Sequence, residues 1–520
     1  MPDPYYLTTA ISYPNGRPHI GHAYEAIAAD VIARHKRAQG FDVRLVTGTD
    51  EHGLKMDKTA REAGRDTLEF ATEMSNYFRE MCAALNIEYS AFRRTTEAQH
   101  HAASQAIWRA MAESGDLYLD RYEGWYSIRD EAFYDESELI EGEGGEKLSP
   151  QGTPVEWNAE ESWFFRLSKY RDYLIEVIEI PGFLEPESRR NEVLAFLRGN
   201  ELRDLSVSRT SFDWGVPVPD SPGHVMYVWV DALTTYLTGI GFPERDGEFA
   251  RFWPADLHLI GKDIVRFHAV YWPAFLKSAG LPAPKSVFGH GFLLHRGEKM
   301  SKSLGNVVDP IELAQRFGVD QLRYFLLAEV PFGKDGSFSA EAIVTRCNAE
   351  LANSFGNLAQ RVLSMIFKNL DGELADFVQN DVDEALDRQV KTTVTTVLSP
   401  AFDALDFSIG IEAWMRAVFA CNQYVDEQAP WALRKTDPER MRAVLLTLFQ
   451  AVRDLGIAIR PVVPTSADRL LDQMGIPAGE RDYSALDDAG WYQRLVASGF
   501  RIPQPIGIFP RLELPAEEAA

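Results

Sequence analysis

Two histidines flank a glycine in "SYPNGRPHIGHAYEAIAAD", Ser12–Asp30. Turn residues precede them and a helical pattern follows, so His19, Gly21 and His22 stand at a helix mouth. A helix N-terminus presents unpaired N–H groups and the positive end of its dipole, and it binds phosphate readily. Gly21 lets a flat or charged ligand approach the backbone. The imidazoles add donors to phosphate oxygens. On their own, these residues are equally a histidine cap with a packing glycine.

A second polar segment, "HRGEKMSKSLGNVVDP" (His295–Pro310), sets Lys299 and Lys302 between Gly297 and Gly305. Lysine is a flexible point charge, suited to a phosphate whose charge changes during reaction. One lysine pair alone reads as a solvated loop. A lysine loop together with a histidine helix mouth points much more specifically to a nucleotide.

The elements that must carry these residues alternate. Tyr5–Ser12, "YYLTTAIS", reads as a buried strand, Gly21–Gln39 as a helix, "FDVRLVTGTDEHG" as a strand and loop, and Thr67–Leu85 as a helix. Strand, helix, strand, helix implies a parallel α/β sheet with its ligand beyond the carboxyl ends of the strands. The rhythm breaks near Gly115. Residues 116–223 are rich in aromatics, acids and turns and read as an inserted domain. The rhythm resumes at "HVMYVWVDALTTYL" and "LHLIGKDIVRFHAVYWPAFL". From about Ala340 the chain is nearly all helical, a bundle of its own. The proline-broken tail is expected to be extended, with a disordered acidic end.

The chain has 520 residues, too many for one core. Its formal charge, 53 − 77 = −24, argues against a non-specific nucleic-acid binder. It leaves room for a folded RNA gripped by local basic patches. No apolar run approaches the ~18 residues of a membrane span, and the N-terminus has no signal-peptide pattern. Cys82, Cys347 and Cys421 form no CxxC, which suits a reducing cytoplasm.

"HIGH" (His19–His22) and "KMSKS" (Lys299–Ser303) are the two signatures of class I aminoacyl-tRNA synthetases, which this chain therefore resembles. The stretches "SYPNGRPHIGHAYE", "TGTDEHG", "LSVSRTSFDWGVPVP", "VMYVWVDALTTY", "LIGKDIVRFH" and "VDEQAPWAL" are similar to the methionyl-tRNA synthetase family within that class, over nearly the whole chain. The resemblance implies a Rossmann-like catalytic domain in two halves (1–115 and 224–290) around a connective insertion (116–223). A lysine-loop region (291–345), a helical anticodon-binding domain (346–500) and an extended tail (501–520) follow.

The implied activity is ATP-dependent ligation of L-methionine to tRNA(Met), initiator tRNA included, through methionyl-adenylate. Mg²⁺ accompanies ATP. His19, His22, Lys299 and Lys302 would be catalytic. Gly21, Gly261, Lys262, Asp263 and Ser301 would join them at ATP, although Asp263 is as naturally a helix cap. Methionine would meet Ala10, Ile11, Tyr13, Asp50, Trp229, Tyr236 and His290, with Asp50 holding the ammonium. Read without the family, Trp229 and Tyr236 fit a core and Asp50 a turn. Trp431, at a helix start after Pro430, would stack on an anticodon base; its bland reading is bundle core. Asn353, Asn357 and Arg361, four apart, would read base edges.

Many such enzymes carry zinc knuckles in the insertion, but residues 116–223 contain no Cys and no His, so no structural zinc is expected. The insertion is also short for an editing domain. No dimerising module follows the bundle, so a cytoplasmic monomer is expected. Two other readings stand beside this one: a nucleotidyltransferase that never touches RNA, and a silent tRNA-binding paralogue.

Overall fold

β1 (Pro4–Thr9) places Tyr6 and Leu7 in the interior, each with no exposed surface. It forms the centre of a six-stranded sheet with β2 (Asp42–Thr49), β3 (Ala91–Arg94), β4 (Leu184–Glu185), β5 (Leu257–Gly261) and β6 (Val287–His290). The order is β3-β2-β1-β5-β6-β4 and every pairing is parallel. Strands buried on both faces account for the continuous apolar runs in the sequence. The computed structural model describes residues 2–129, 132–142, 144–295, 298–299 and 308–514.

β1 stops at Thr9, short of the Ser12 expected from the sequence. Ser12 instead makes an isolated parallel bridge to Thr49. α1 (Ile20–Ala38) then crosses to β2 and ends before Gly40, whose φ of +93° suits a glycine stop. α2 (Thr67–Ala84) follows, capped by Asp66, and α3 (Ala98–Glu113) leads out of the sheet.

The expected insertion, 116–223, is not one body. Its four-stranded antiparallel sheet uses Leu117–Ser127, Ala132–Tyr134, Glu156–Phe165 and Leu205–Ser206. Between them, β4 returns to the main sheet and pairs with β6. A two-residue strand carries too little periodicity to be read from sequence.

α4 (Val228–Thr238) precedes β5 and the chain re-enters the main sheet. α5 (Val319–Glu329) begins the helical half, which is built around α6 (Phe407–Gln428) and α7 (Pro438–Ile459). Residues 501–514 form no helix and no named strand, yet they are packed. Ile502, Ile508 and Phe509 are buried, and Leu512 exchanges two hydrogen bonds with Asn348. Its acidic end lies outside the described residues. The three cysteines are free and buried, and burial pushes their thiols up to about 12, so they are inert.

Arg323 of α5 has no exposed surface. Its guanidinium donates to Asp30 of α1 (2.6 Å), to the carbonyls of Leu85 and Asn86 beyond α2, and to those of Pro461 and Val462 beyond α7. An Arg323→Met change would leave those buried acceptors short of a donor. It is expected to cost about 3–5 kcal/mol, read as a fall in the urea midpoint. A midpoint equal to the parent's would show that this contact does not hold the two halves together.

Candidate functional site

The parallel strands end side by side, so the residues after each share one edge of the sheet. Ala10 and Ile11 follow β1 and Asp50 follows β2. Gly261 ends β5 directly opposite His290 at the end of β6. The Ala10 N–H donates to the Leu259 carbonyl (3.0 Å) and the Asp50 N–H to the Ser12 carbonyl (2.9 Å). The winding reverses between β1 and β5, where sheets of this kind open a crevice for a ligand.

α1 starts at that crevice. His19 is its N-cap: His19 Nδ1 accepts from the Gly21 N–H, and His22 Nδ1 accepts from the His19 N–H, both at 3.1 Å. The cap reading is therefore realised. It also fixes the chemistry, because a neutral ring that accepts at Nδ1 carries its proton on Nε2. The two rings lie 3.9 Å apart. A Cβ on residue 21 would meet the His19 ring at 2.9 Å, so the glycine serves the cap as well as any ligand.

Ser301 and Lys302 lie outside the described residues, and Lys299 is described by its backbone alone, paired with Leu294. The far side of the lysine segment is described. The Val308 carbonyl accepts the first helical N–H of α1, from Ile20 (3.0 Å). The described end of the segment, at Val308, is thus bonded to the histidine mouth itself. Lys262 pairs with Asp335 (2.7 Å) and lies over the Phe292 ring. Asp263 is exposed inside a one-turn 3-10 segment whose N-cap is Gly261, so the expected Asp263 cap is not formed.

The residues expected at methionine come from several elements near this edge of the sheet. The Tyr13 hydroxyl donates to the His52 carbonyl (3.0 Å) and accepts from the Met56 N–H (3.1 Å). Trp229 is half-buried and stacks on Phe267 at 3.9 Å. Tyr236 is buried, close enough to Asp50 and Glu25 for their charges to oppose its ionisation, behind the larger effect of burial. His290 Nε2 lies 2.9 Å from Glu25 Oε2 and Nδ1 lies 2.8 Å from the Gly291 carbonyl. Burial pushes the His290 imidazole down, but Glu25 and that carbonyl outweigh it, so its pKa is raised.

In the helical half, Trp431 is 51% exposed, which removes the bundle-core reading. Pro430 is the first residue of its helix, as expected. The Arg361 guanidinium sits 5.6 Å over the Trp431 ring and also pairs with Asp426. Asn353 and Asn357 are exposed, two turns and one turn before Arg361 respectively.

A parallel sheet that opens on a histidine helix mouth, joined to a separate helical unit, is the plan of a nucleotide-activating enzyme. The family model described as "tRNA synthetases class I (M)" matches residues 5–363, and that described as "Anticodon binding domain of methionyl tRNA ligase" matches residues 377–514. The chain belongs to the methionyl family of class I tRNA synthetases. It is 53% identical to the methionine–tRNA ligase of Mycobacterium bovis over 98% of each chain, and 52% identical to that of Brucella suis over the same shares. It is also similar to the Mycobacterium tuberculosis methionyl-tRNA synthetase in complex with methionyl-adenylate, at 52% identity and a TM-score of 0.93, covering 98% of this chain and 100% of that one. Against the free-state structure of that synthetase, identity is 48% and the TM-score 0.87, covering 99% of each chain.

Sequence reasoning missed Glu25, His52, Asp231, His258 and His268. Each is a polar side chain with at least one partner far away in sequence. His268 donates Nδ1–H to the Ile264 carbonyl (2.9 Å), so its Nε2 accepts from the Tyr236 hydroxyl (2.6 Å). Burial lowers His268 from 6.5 to about 4, and it holds His258 well below its usual value. Between those limits the unfolded chain binds protons that the folded chain refuses. Stability from these neutral rings is therefore complete above pH 6.5 and is lost as pH falls through about 4. The urea midpoint is expected to drop between about pH 7 and 5, and His268→Gln to flatten part of that drop. An unchanged pH slope in the variant would locate the effect elsewhere.

Proposed function

We infer that the protein ligates L-methionine to tRNA(Met) in two steps. The methionine carboxylate attacks the α-phosphate of ATP, and pyrophosphate leaves methionyl-adenylate. The terminal adenosine hydroxyl of the tRNA then attacks the adenylate carbonyl, and AMP leaves. Neither step needs a covalent enzyme nucleophile. Catalysis is positioning and stabilisation of developing phosphate charge.

The observation that carries the site assignment is the Ile20–Val308 bond, which ties the lysine segment to the histidine mouth. His19 and His22 offer Nε2–H donors to phosphate, with Gly21 between them. Lys299, Ser301 and Lys302 close over the leaving pyrophosphate, and Gly261, Lys262 and Asp263 border the nucleotide. Most donors here are imidazole and ammonium, and Asp263 is the one carboxylate among them. Mg²⁺ would therefore be held by ATP oxygens and water. Structural zinc has no part in the proposal, since residues 116–223 hold neither Cys nor His.

Asp50 holds the methionine ammonium. Tyr13, Trp229, Tyr236 and His290 surround the side chain, whose polarisable sulfur suits aromatic edges, and Ala10 and Ile11 supply backbone contacts. Trp431 stacks on an anticodon base, with Asn353, Asn357 and Arg361 beside it. The partners proposed are elongator and initiator tRNA(Met), and the protein is proposed to act as a cytoplasmic monomer. No helix among the described residues is long and apolar enough to cross a membrane.

ATP–pyrophosphate exchange against each amino acid tests the reading, and exchange driven by another amino acid would overturn it. Asp50→Ala is expected to raise the methionine KM by about 10²-fold with little change for ATP. Equal effects on both substrates would remove Asp50 from the ammonium. Trp431→Ala is expected to lower tRNA charging by about 10- to 100-fold while exchange stays near normal. Loss of both would indicate unfolding instead of a lost base contact.

A further inference from the structure

Beneath the crevice lies a buried cluster that the two-step chemistry does not use. Asp231 sits on α4, two residues after Trp229, with no exposed surface. Its Oδ2 is 2.5 Å from His52 Nδ1 and its Oδ1 is 2.6 Å from His100 Nε2. An ionised carboxylate only accepts, so both ring nitrogens that face it donate. Asp231 is ionised: burial acts to raise its pKa, but the two imidazoles outweigh it and hold the carboxyl below its usual range. His52 is 3% exposed and His100 fully buried.

The three side chains come from three elements. His52 lies in the loop after β2, two residues beyond Asp50. His100 is on α3, and its Nδ1 reaches the Thr238 hydroxyl at the far end of α4 (3.0 Å). Asp231 and Thr238 thus fasten α4 to α3 along its length, while the same carboxylate grips the loop through His52.

Other bonds hold that loop from its other sides. Glu51 takes two bonds from Arg94 (2.7 and 2.8 Å) and one each from Thr49 and Thr96. The Trp214 ring N–H donates to the Glu51 carbonyl, and Tyr13 donates to the His52 carbonyl. These contacts fix the loop to β3, to the insertion and to the first turn. The bond from His52 to Asp231 fixes it to α4, the helix that carries Trp229 and Tyr236.

We propose that Asp231 is a positioning residue that, through His52 and His100, sets the separation between the Asp50 loop and α4, and so the fit of the methionine cleft. The proposal rests on the reading of Asp50, Trp229 and Tyr236 as methionine contacts. The amino acid is gripped by its ammonium from one of these elements, and two of its four side-chain contacts, Trp229 and Tyr236, come from the other. A change in their spacing spoils both grips together, while the ATP groups on α1 and β5 lie on other elements.

Asp231→Ala is expected to raise the methionine KM in exchange by about 10- to 100-fold, with the ATP KM within about threefold. Asp231→Asn keeps the shape and can still accept from one imidazole, so it is expected to recover most of the loss. His52→Gln leaves the Asp231–His100 bond and the residue 52 carbonyl in place. It is expected to show the same methionine-selective rise, and it carries the test if Asp231→Ala does not fold, as judged by circular dichroism. Methionine and ATP KM rising together, or a methionine KM in folded His52→Gln equal to the parent's, would overturn the proposal. Asp50→Ala is measured alongside. If it too leaves the methionine KM unchanged, the reading of the cleft has failed; if it alone raises KM, only the role of Asp231 has.

Discussion

The buried contact between Asp30 and Arg323 is the constraint on which the rest of the molecule depends. A guanidinium with no access to water must be paired and its donors used, or the fold loses several kcal/mol. Arg323 meets that condition by drawing together α1, the ends of α2 and α7, and its own helix α5. Asp30 is itself shared, accepting from Arg34 and from the Glu88 N–H. One turn later, His35 reaches Tyr483 and Asp403, and Lys36 also reaches Asp403. Burial lowers the His35 pKa, so it bonds Asp403 as a neutral ring.

Those contacts make α1 a rod with one end in each half of the protein. At 1.5 Å per residue its nineteen residues span about 28 Å. His19 and His22 cap its first turn, and its last two turns are bonded to the helical half. One unbroken helix therefore connects the helical half to the histidine mouth. The mouth is also touched by Val308, at the edge of the lysine segment. The position of the mouth is thus set jointly by the sheet, the lysine segment and the helical half.

What could be read from the sequence was what is contiguous in it. The histidine pair, the lysine segment, the first strands and helices and the start of the helical half all announce themselves within a few residues. The tie between Asp231 and His52 spans 179 residues, that between Asp231 and His100 spans 131, and that between His290 and Glu25 spans 265. A buried polar side chain is defined by its partner, and no local pattern names that partner. The same reason hid β4. It is a strand only because β6 lies beside it, and its flanking helices are typical of either a separate insertion or a return to the sheet. The bundle-core alternative for Trp431 fails for a different reason: tryptophan is usually buried, but its exposure follows from where the helix that starts at Pro430 lies on the surface.

The histidine mouth shows why a structural reading and a functional one need not compete. Serine or aspartate would cap α1 as well as histidine does, since either side chain accepts a backbone N–H. Aspartate would place a negative charge at the proposed phosphate site, and serine offers a single short hydroxyl. An imidazole accepts the backbone bond at one nitrogen and keeps a donor on the other, directed by the same ring. His22 repeats the arrangement one turn into the helix by accepting from the His19 N–H. The bonds that end the helix therefore also fix the tautomer of both rings and their orientation. Capping is what turns two flexible side chains into oriented rings, and preorganisation is the form in which the proposed phosphate site would stabilise a developing charge.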